Sequence, residues 1–355
     1  MRPTLQTVAA AVGVSRSTVS NAYSRPDQLS PELRQRILDA ARRVGYAGPN
    51  PTARSLRRGR AGALGVLFTS SLPYAFTDPY AVQFLRGLAE SVQGQETGLL
   101  LVPQSLDDEQ TAVSAVDNAA VDGFCVFCLP DWHPSWAAIQ ARGLPVVSAQ
   151  RRPTDGPEAL FVGIDEAAAT RSAGRHLAAL GHRRVAIIGD HLAAGPTRPV
   201  SLRTPDDVGY YGSRERLRGY YDTVREAGID WAGVITVSTE VNTKASGTAA
   251  AAYLLDQPRP PTAVVAFSDI LALGVLDALA ARGLRPGDDV SVIGFDDIPE
   301  AAHASLTTIR QPAADRGRLS GQLLLDPPKD PSGRQIVLPT ELVVRDSTRP
   351  AVTKE

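Results

Sequence analysis

The chain has 355 residues, too many for one small core and suited to two or three domains. Its 43% hydrophobic and 21% charged residues are ordinary for a soluble globular protein, and no apolar run approaches the roughly 18 residues of a membrane span. The net charge of -1 hides an asymmetry: Met1 to Arg60 hold eleven Arg, no Lys and three acids, a net of +8, which leaves -9 for the rest.

A basic head on an acidic body is the charge distribution of a DNA-binding module attached to a sensor. The first apolar stretch, around Val8 to Val14, is short, Ala-rich and interrupted by Gly13, unlike an export signal. Two cysteines make no disulfide framework, so a reducing cytoplasm is expected.

The segment TLQTVAAAVGVSRSTVSNAYS, from Thr4 to Ser24, reads as helix, tight turn, helix. Thr4 caps the first helix, whose Leu5, Val8, Ala9 and Val12 share one face, and Gly13 ends it. Ser15 caps a second helix with Val19 and Ala22 or Tyr23 turned inward. A third opens at Ser30-Pro31, carries Leu33, Ile37, Ala40 and Val44 on one face, and ends at Gly45.

The second helix leaves Arg16, Ser17, Thr18, Ser20 and Asn21 outside. Arg can bond both acceptors of a guanine edge and Asn can do the same for adenine. The hydroxyls of Thr4, Ser15, Ser17, Thr18, Ser20 and Ser24, with the helix N-terminus, suit phosphates.

Downstream, GPNPTARSLRRGRA offers Asn50 as a cap and two turns of helix through Ala53, Arg54, Leu56 and Arg57. Such a helix is shorter than the roughly 12 residues at which isolated helices become marginal in water, so it needs a partner to form. Leu56 among arginines fits a wedge between base pairs in the minor groove, with Arg54 and Arg57 holding the backbone.

From Ala63 onward, short apolar runs alternate with helical stretches. The runs at 64–68, 98–103, 123–129, 144–149, 160–164, 184–189, 234–238, 263–267 and 290–295 read as strands buried on both faces of parallel sheets. Nine strands exceed one simple unit, so two doubly wound α/β lobes with a cleft between them are expected. Ligands of such sheets bind beyond the strand carboxyl ends, which nominates Asp78 and Tyr80, Gln150, Ser268 and Asp269, and Asp296 and Asp297. The Pro-, Gly- and Arg-rich stretch from Arg198 to Gly212 reads as a long loop that lines or covers the pocket mouth.

Cys125 and Cys128 lie inside an apolar strand and read as core residues, and the five histidines show no metal spacing. Nucleotide-hydrolysis, hydride-transfer and ester-hydrolysis motifs are missing, so no cofactor and no enzymatic activity are expected. A pure solute-binding protein would account for the body but predicts an export signal and no basic head.

The head pattern, the segment SPELRQRILDAARRVGY, the element PNPTARSLR and the closing LPTELVVRDST together resemble the LacI/GalR family of bacterial transcriptional regulators. The resemblance implies an all-α helix-turn-helix head at residues 1–47, a hinge at 48–60, and a two-lobed body at 61–350 like the periplasmic sugar-binding proteins. It implies a first lobe of about 61–162 plus 311–334 and a second of about 163–310 plus 335–350. Arg16, Ser17 and Asn21 fall where the family reads operator bases, and Leu56 where its hinge helix inserts a leucine. Asp78, Tyr80, Gln150, Arg216, Ser268 and Asp296 fall at effector-pocket positions. The implied protein is a homodimer on a near-palindromic DNA operator, controlled by a sugar, a nucleoside or a related metabolite.

Three departures stand out. Ala47-Gly48 adds one residue before Pro49-Asn50, and Gln150 and Ser268 stand where sugar-responsive members have Asp and Asn. On this reading Leu56→Ala weakens operator binding and reduces DNA bending while ligand affinity stays nearly intact; unchanged bending in a phased-bend gel assay refutes the wedge.

Overall fold

A computed structural model describes residues 3–48, 59–68, 72–151 and 155–351. The chain divides into two compact units, Met1–Gly62 and Ala63–Glu355.

In the first unit, α1 (Leu5–Val12), α2 (Arg16–Ser24) and α3 (Pro31–Arg43) enclose Val8, Val19, Ala22, Ile37 and Ala40, all essentially inaccessible to solvent. Each helix starts on a hydroxyl cap: Thr4 accepts from the Thr7 N–H, Ser15 from Thr18 and Ser30 from Leu33. Gly13, at φ 75°, takes the left-handed turn that lets α2 leave α1 at an angle. Arg34 on α3 donates to the Ala22 carbonyl at 3.3 Å and fixes the end of α2.

The second unit contains two sheets. The first runs in the order β12-β5-β4-β3-β1-β2. These strands are β1 (Ala63–Phe68), β2 (Gly98–Pro103), β3 (Gly123–Cys128), β4 (Val146–Ser148), β5 (Leu160–Ile164) and β12 (Gln335–Leu338). All its pairings are parallel.

The second sheet has the order β13-β11-β10-β9-β6-β8-β7. It comprises β6 (Val185–Asp190), β7 (Arg198–Val200), β8 (Ile235–Thr239), β9 (Ala263–Ala266), β10 (Ser291–Asp296), β11 (Thr307–Arg310) and β13 (Glu341–Val343). Only its edge strands β7 and β13 pair antiparallel.

All nine expected strands are present, and β7, β11, β12 and β13 are additional. The chain crosses between sheets after β5, after β11 and between β12 and β13. Two expected lobe boundaries therefore shift. β5 extends to Ile164, and Gln335–Leu338 belongs to the first lobe, because its backbone pairs with Phe161–Ile164.

The helix Ala313–Leu325, reached by the second crossing, packs on the first-lobe helix Pro79–Val92. Glycines permit the close approach: a methyl group on Gly87 would strike the Ala314 carbonyl, and one on Gly317 the Phe84 carbonyl. Among the described residues no helix is long and apolar enough to cross a membrane.

Candidate functional site

On the head, Arg16 and Ser17 stand exposed at the start of α2, and Asn21 follows on the second turn, half-buried. The α2 sequence RSTVSNAYS contains no acid that would repel phosphate. The Ser15 hydroxyl lies 2.7 Å from that of Ser17 and 2.8 Å from that of Thr18, so a hydroxyl cluster crowns the helix N-terminus. Asn21 Nδ2 donates to Gln28 Oε1 at 3.3 Å. Ser24 spends its proton on the Ser20 carbonyl at 2.9 Å, and Thr4 is occupied in capping α1. The hinge residues Asn50, Ala53, Arg54, Leu56 and Arg57 lie outside the described residues.

In the body, side chains of the two lobes meet through chains of hydrogen bonds that include some of the nominated residues. Asp78 caps the helix Pro79–Val92 by accepting from the Tyr80 N–H at 2.9 Å. Its other oxygen accepts from the Tyr74 hydroxyl at 2.5 Å. Asn242, on the second lobe after β8, donates to the Tyr74 oxygen at 2.9 Å and accepts from Ser268 Oγ at 2.5 Å. Ser268 in turn caps the helix Asp269–Ala281. A continuous chain, Asp78–Tyr74–Asn242–Ser268, thus joins the lobes. Burial pushes the Asp78 carboxyl above its usual range.

A second chain runs through the last but one crossing. The buried Tyr80 hydroxyl donates to Gln311 Oε1 at 2.9 Å, and Gln311 Nε2 donates to Asp296 Oδ1 at 2.5 Å. Asp296 adopts φ 121°, a left-handed conformation costly for a residue with a Cβ, at the carboxyl end of β10. Burial, reinforced by Asp269 and Asp78, raises its carboxyl well above the usual range. Arg316 is buried and completes this layer, donating to the Tyr80 oxygen at 2.8 Å, to the Val162 carbonyl at 3.1 Å and to the Ala149 carbonyl.

Arg216 lies within the second lobe, paired with the buried Glu166 at 2.8 Å, bonded to the Phe267 carbonyl, and 3.8 Å from the centre of the Phe295 ring. Gln150 reaches across from the first lobe to donate to the Tyr210 hydroxyl at 2.8 Å. Cys125 is buried in the core as expected, whereas Cys128, half-buried, meets the same Tyr210 hydroxyl from the end of β3.

The two following acids are structural. Asp269 accepts from the Ile298 N–H and the Thr308 hydroxyl, and burial pushes its carboxyl up to about 6. Asp297 bridges Arg310 and Arg345. The sequence reading missed Tyr74, Asn242, Glu166, Gln311 and Arg316, and included Tyr210 only as part of the Arg198–Gly212 stretch. Asn242 stands just past β8, so the rule that nominated the others also selects it; the remaining four depend on tertiary contacts.

A helix-turn-helix module and a two-lobed body with polar groups gathered between its sheets define a ligand-responsive DNA-binding regulator. Residues 4–50 match bacterial regulatory proteins of the lacI family, and residues 175–348 match the periplasmic binding protein-like domain. An HTH-type transcriptional regulator of Mycolicibacterium smegmatis is 40% identical over 96% of this chain and 95% of its own length. A LacI-family regulator of known structure from Corynebacterium glutamicum is 35% identical, with a TM-score of 0.73 over 98% of both chains. The solved complex of the regulator CelR with cellobiose is 29% identical, with a TM-score of 0.68 over 98% of this chain and 100% of that one. The chain belongs to the LacI family of bacterial transcriptional regulators and is not an enzyme.

If the Asp78–Tyr74–Asn242–Ser268 chain joins the lobes, Tyr74→Phe and Asn242→Ala are not additive. A double-mutant cycle by urea denaturation is expected to give a coupling of about 0.5–3 kcal/mol. Additivity would show that the two lobes do not share the chain.

Proposed function

We propose that the protein is a homodimeric repressor of the bacterial cytoplasm, released from a near-palindromic operator when a small neutral polyhydroxylated molecule binds between its lobes. The head is residues 1–47, the hinge 48–60 and the body 61–350. The observation that carries the DNA-binding half is the outward row of α2, where Arg16, Ser17 and Asn21 stand on a helix whose inward Val19 and Ala22 are locked in the core. These three read bases in the major groove; Thr4, Ser15, Thr18, Ser20 and Ser24 flank them as phosphate contacts. Two-fold symmetry supplies two such helices, and the Leu56 pair enters the minor groove between them. Exposed Phe76 and Val82, on consecutive first-lobe helices, offer apolar surface for self-association.

The effector half rests on charge and hydrogen-bonding capacity. Asp78 and Glu166 are buried acids and Asp296 a half-buried one around the cleft. Arg216 is neutralised by Glu166, and Arg316 is spent on carbonyls and a phenol. A phosphorylated ligand would meet acids and find its cations engaged, whereas a sugar, nucleoside or similar polyol finds the acceptors and donors of Asp78, Gln150, Ser268, Asp296 and Tyr80. The neighbour solved with cellobiose supports a neutral saccharide.

Operator binding decides the first half. Affinity is expected to fall by about 10³–10⁵ between 50 and 200 mM salt, as for a protein with 6–10 phosphate contacts; salt-independent or absent binding refutes the reading. Arg216→Lys keeps a charge against Glu166 but loses the guanidinium fork. It is expected to bind operator normally while the concentration for half-release, with any polyol found by thermal shift, rises at least tenfold. An unchanged dose-response curve removes Arg216 from the pocket.

A further inference from the structure

Between β6 and the helix Tyr211–Glu226 the chain makes an excursion that is not a free loop. β7 adds it to the sheet edge beside β8. The Trp231 indole N–H donates to the Leu202 carbonyl at 2.7 Å, and Arg218 pairs with Asp206 at 2.7 Å. Held at these points to its own lobe, the excursion delivers its last residues to a fixed place.

There it meets the first lobe at three points. The Tyr210 hydroxyl accepts from Gln150 Nε2 and touches Cys128 Sγ. Gly209 lies against the Trp132 indole, so that a Cβ on it would stand 3.8 Å from the ring. Arg214 braces the excursion through the Val208 carbonyl and lies 3.7 Å from Asp131, with side chains only 17% and 21% exposed. The partners at 128–132 and at 150 lie at or just past the carboxyl ends of β3 and β4, where the ligand is expected. Trp132 itself remains 57% exposed, an uncovered indole at the rim.

We propose that residues 209–214 form a clasp that shuts this side of the cleft mouth against residues 128–132, and that the clasp must part for an effector to enter or leave. It consists of one hydrogen bond from an amide, one thiol–hydroxyl contact, one ring contact and one ion pair longer than a direct hydrogen bond. Such contacts open readily, while the well-anchored excursion behind them reseats Tyr210 each time. The proposal rests on the cleft being the effector site, but the clasp exists without ligand and can be tested without one.

The chain carries its own reporter. Of its two cysteines, Cys125 is buried with its thiol pushed up to about 12, whereas Cys128 sits in the clasp. A disulfide reagent such as DTNB, added to the full-length protein without effector, therefore reads clasp opening as the labelling rate of Cys128. Trp132→Ala and Arg214→Ala are each expected to accelerate labelling at least fivefold, with unchanged circular dichroism confirming the fold. Asp206→Ala, which loosens the excursion on its own lobe, is expected to leave the rate within twofold of wild type. Equal rates in wild type, Trp132→Ala and Arg214→Ala overturn the clasp. So does equal acceleration by Asp206→Ala, which would indicate local loosening only. Neither outcome bears on whether the cleft binds a polyol, which operator release measures separately.

Discussion

Buried polar groups must be partnered, and between the lobes of this protein they partner one another. The Tyr74 hydroxyl, which donates to Asp78 within the first lobe, accepts from Asn242 on the second, where Ser268 donates to Asn242, and Tyr80 reaches Asp296 only through Gln311 on the crossing strand. Leaving any of these donors or acceptors buried and unpaired costs about 1–3 kcal/mol. Pulling the lobes apart therefore exchanges each bond for water, and intermediate separations, too narrow for water and too wide for contact, are the costly ones. That makes lobe separation closer to a two-state event than to a gradual one, which is the physical requirement for a switch.

Arg316 sets the fixed side of this switch. Its guanidinium grips the Ala149 and Val162 carbonyls and the Tyr80 hydroxyl, so the end of β4, the middle of β5 and the start of the helix Pro79–Val92 meet at one cation. The chain leaves the first lobe immediately after β5, and Gln150 directly follows Ala149. Movement of the crossing strands relative to that cation is thus felt by a nominated effector residue one peptide away. Asp296 lies at the other end, in a left-handed backbone conformation that only its packed surroundings can hold, as often occurs where geometry is set by function.

What could be read from the sequence follows from how local each signal is. Head helices announce themselves through caps, Gly13 and a shared apolar face, all within a few residues. Central strands appear as unbroken apolar runs because both of their faces are covered. β7, at Arg198–Val200, and β13, at Glu341–Val343, are three-residue edge strands, and Gln335–Leu338 is only partly buried, so none carries that pattern. The same division holds at the site. Asp78, Gln150, Ser268 and Asp296 were legible because they immediately follow recognisable strands or open helices. Arg316, in the sequence AADRGRLSG, looks like any helical surface arginine; only the approach of its helix to β4 and β5 buries it. Glu166 likewise reads as a first-turn helix acid, and its pairing with Arg216, fifty residues later, exists only in three dimensions.

The ion pair between Glu166 and Arg216 also constrains what a ligand can do. Coupling requires that a ligand interact differently with two arrangements of the protein, and a molecule that merely replaced the cross-lobe hydrogen bonds one for one would bind without changing operator affinity. Hydroxyl groups escape this limit because each can donate and accept at once. On the proposed reading, a polyol between the lobes replaces the direct cross-lobe bonds with its own and holds the lobes at a spacing that those bonds cannot span. An apolar ligand would strand the same groups, and an anion would find Arg216 already paired with Glu166 and Arg316 engaged by carbonyls and a phenol. On the same proposed reading the sensor takes a neutral ligand whose hydroxyls form a bridge between the lobes, and the coupling of about 1–3 kcal/mol typical of such systems needs no more than one or two bonds of difference between the states.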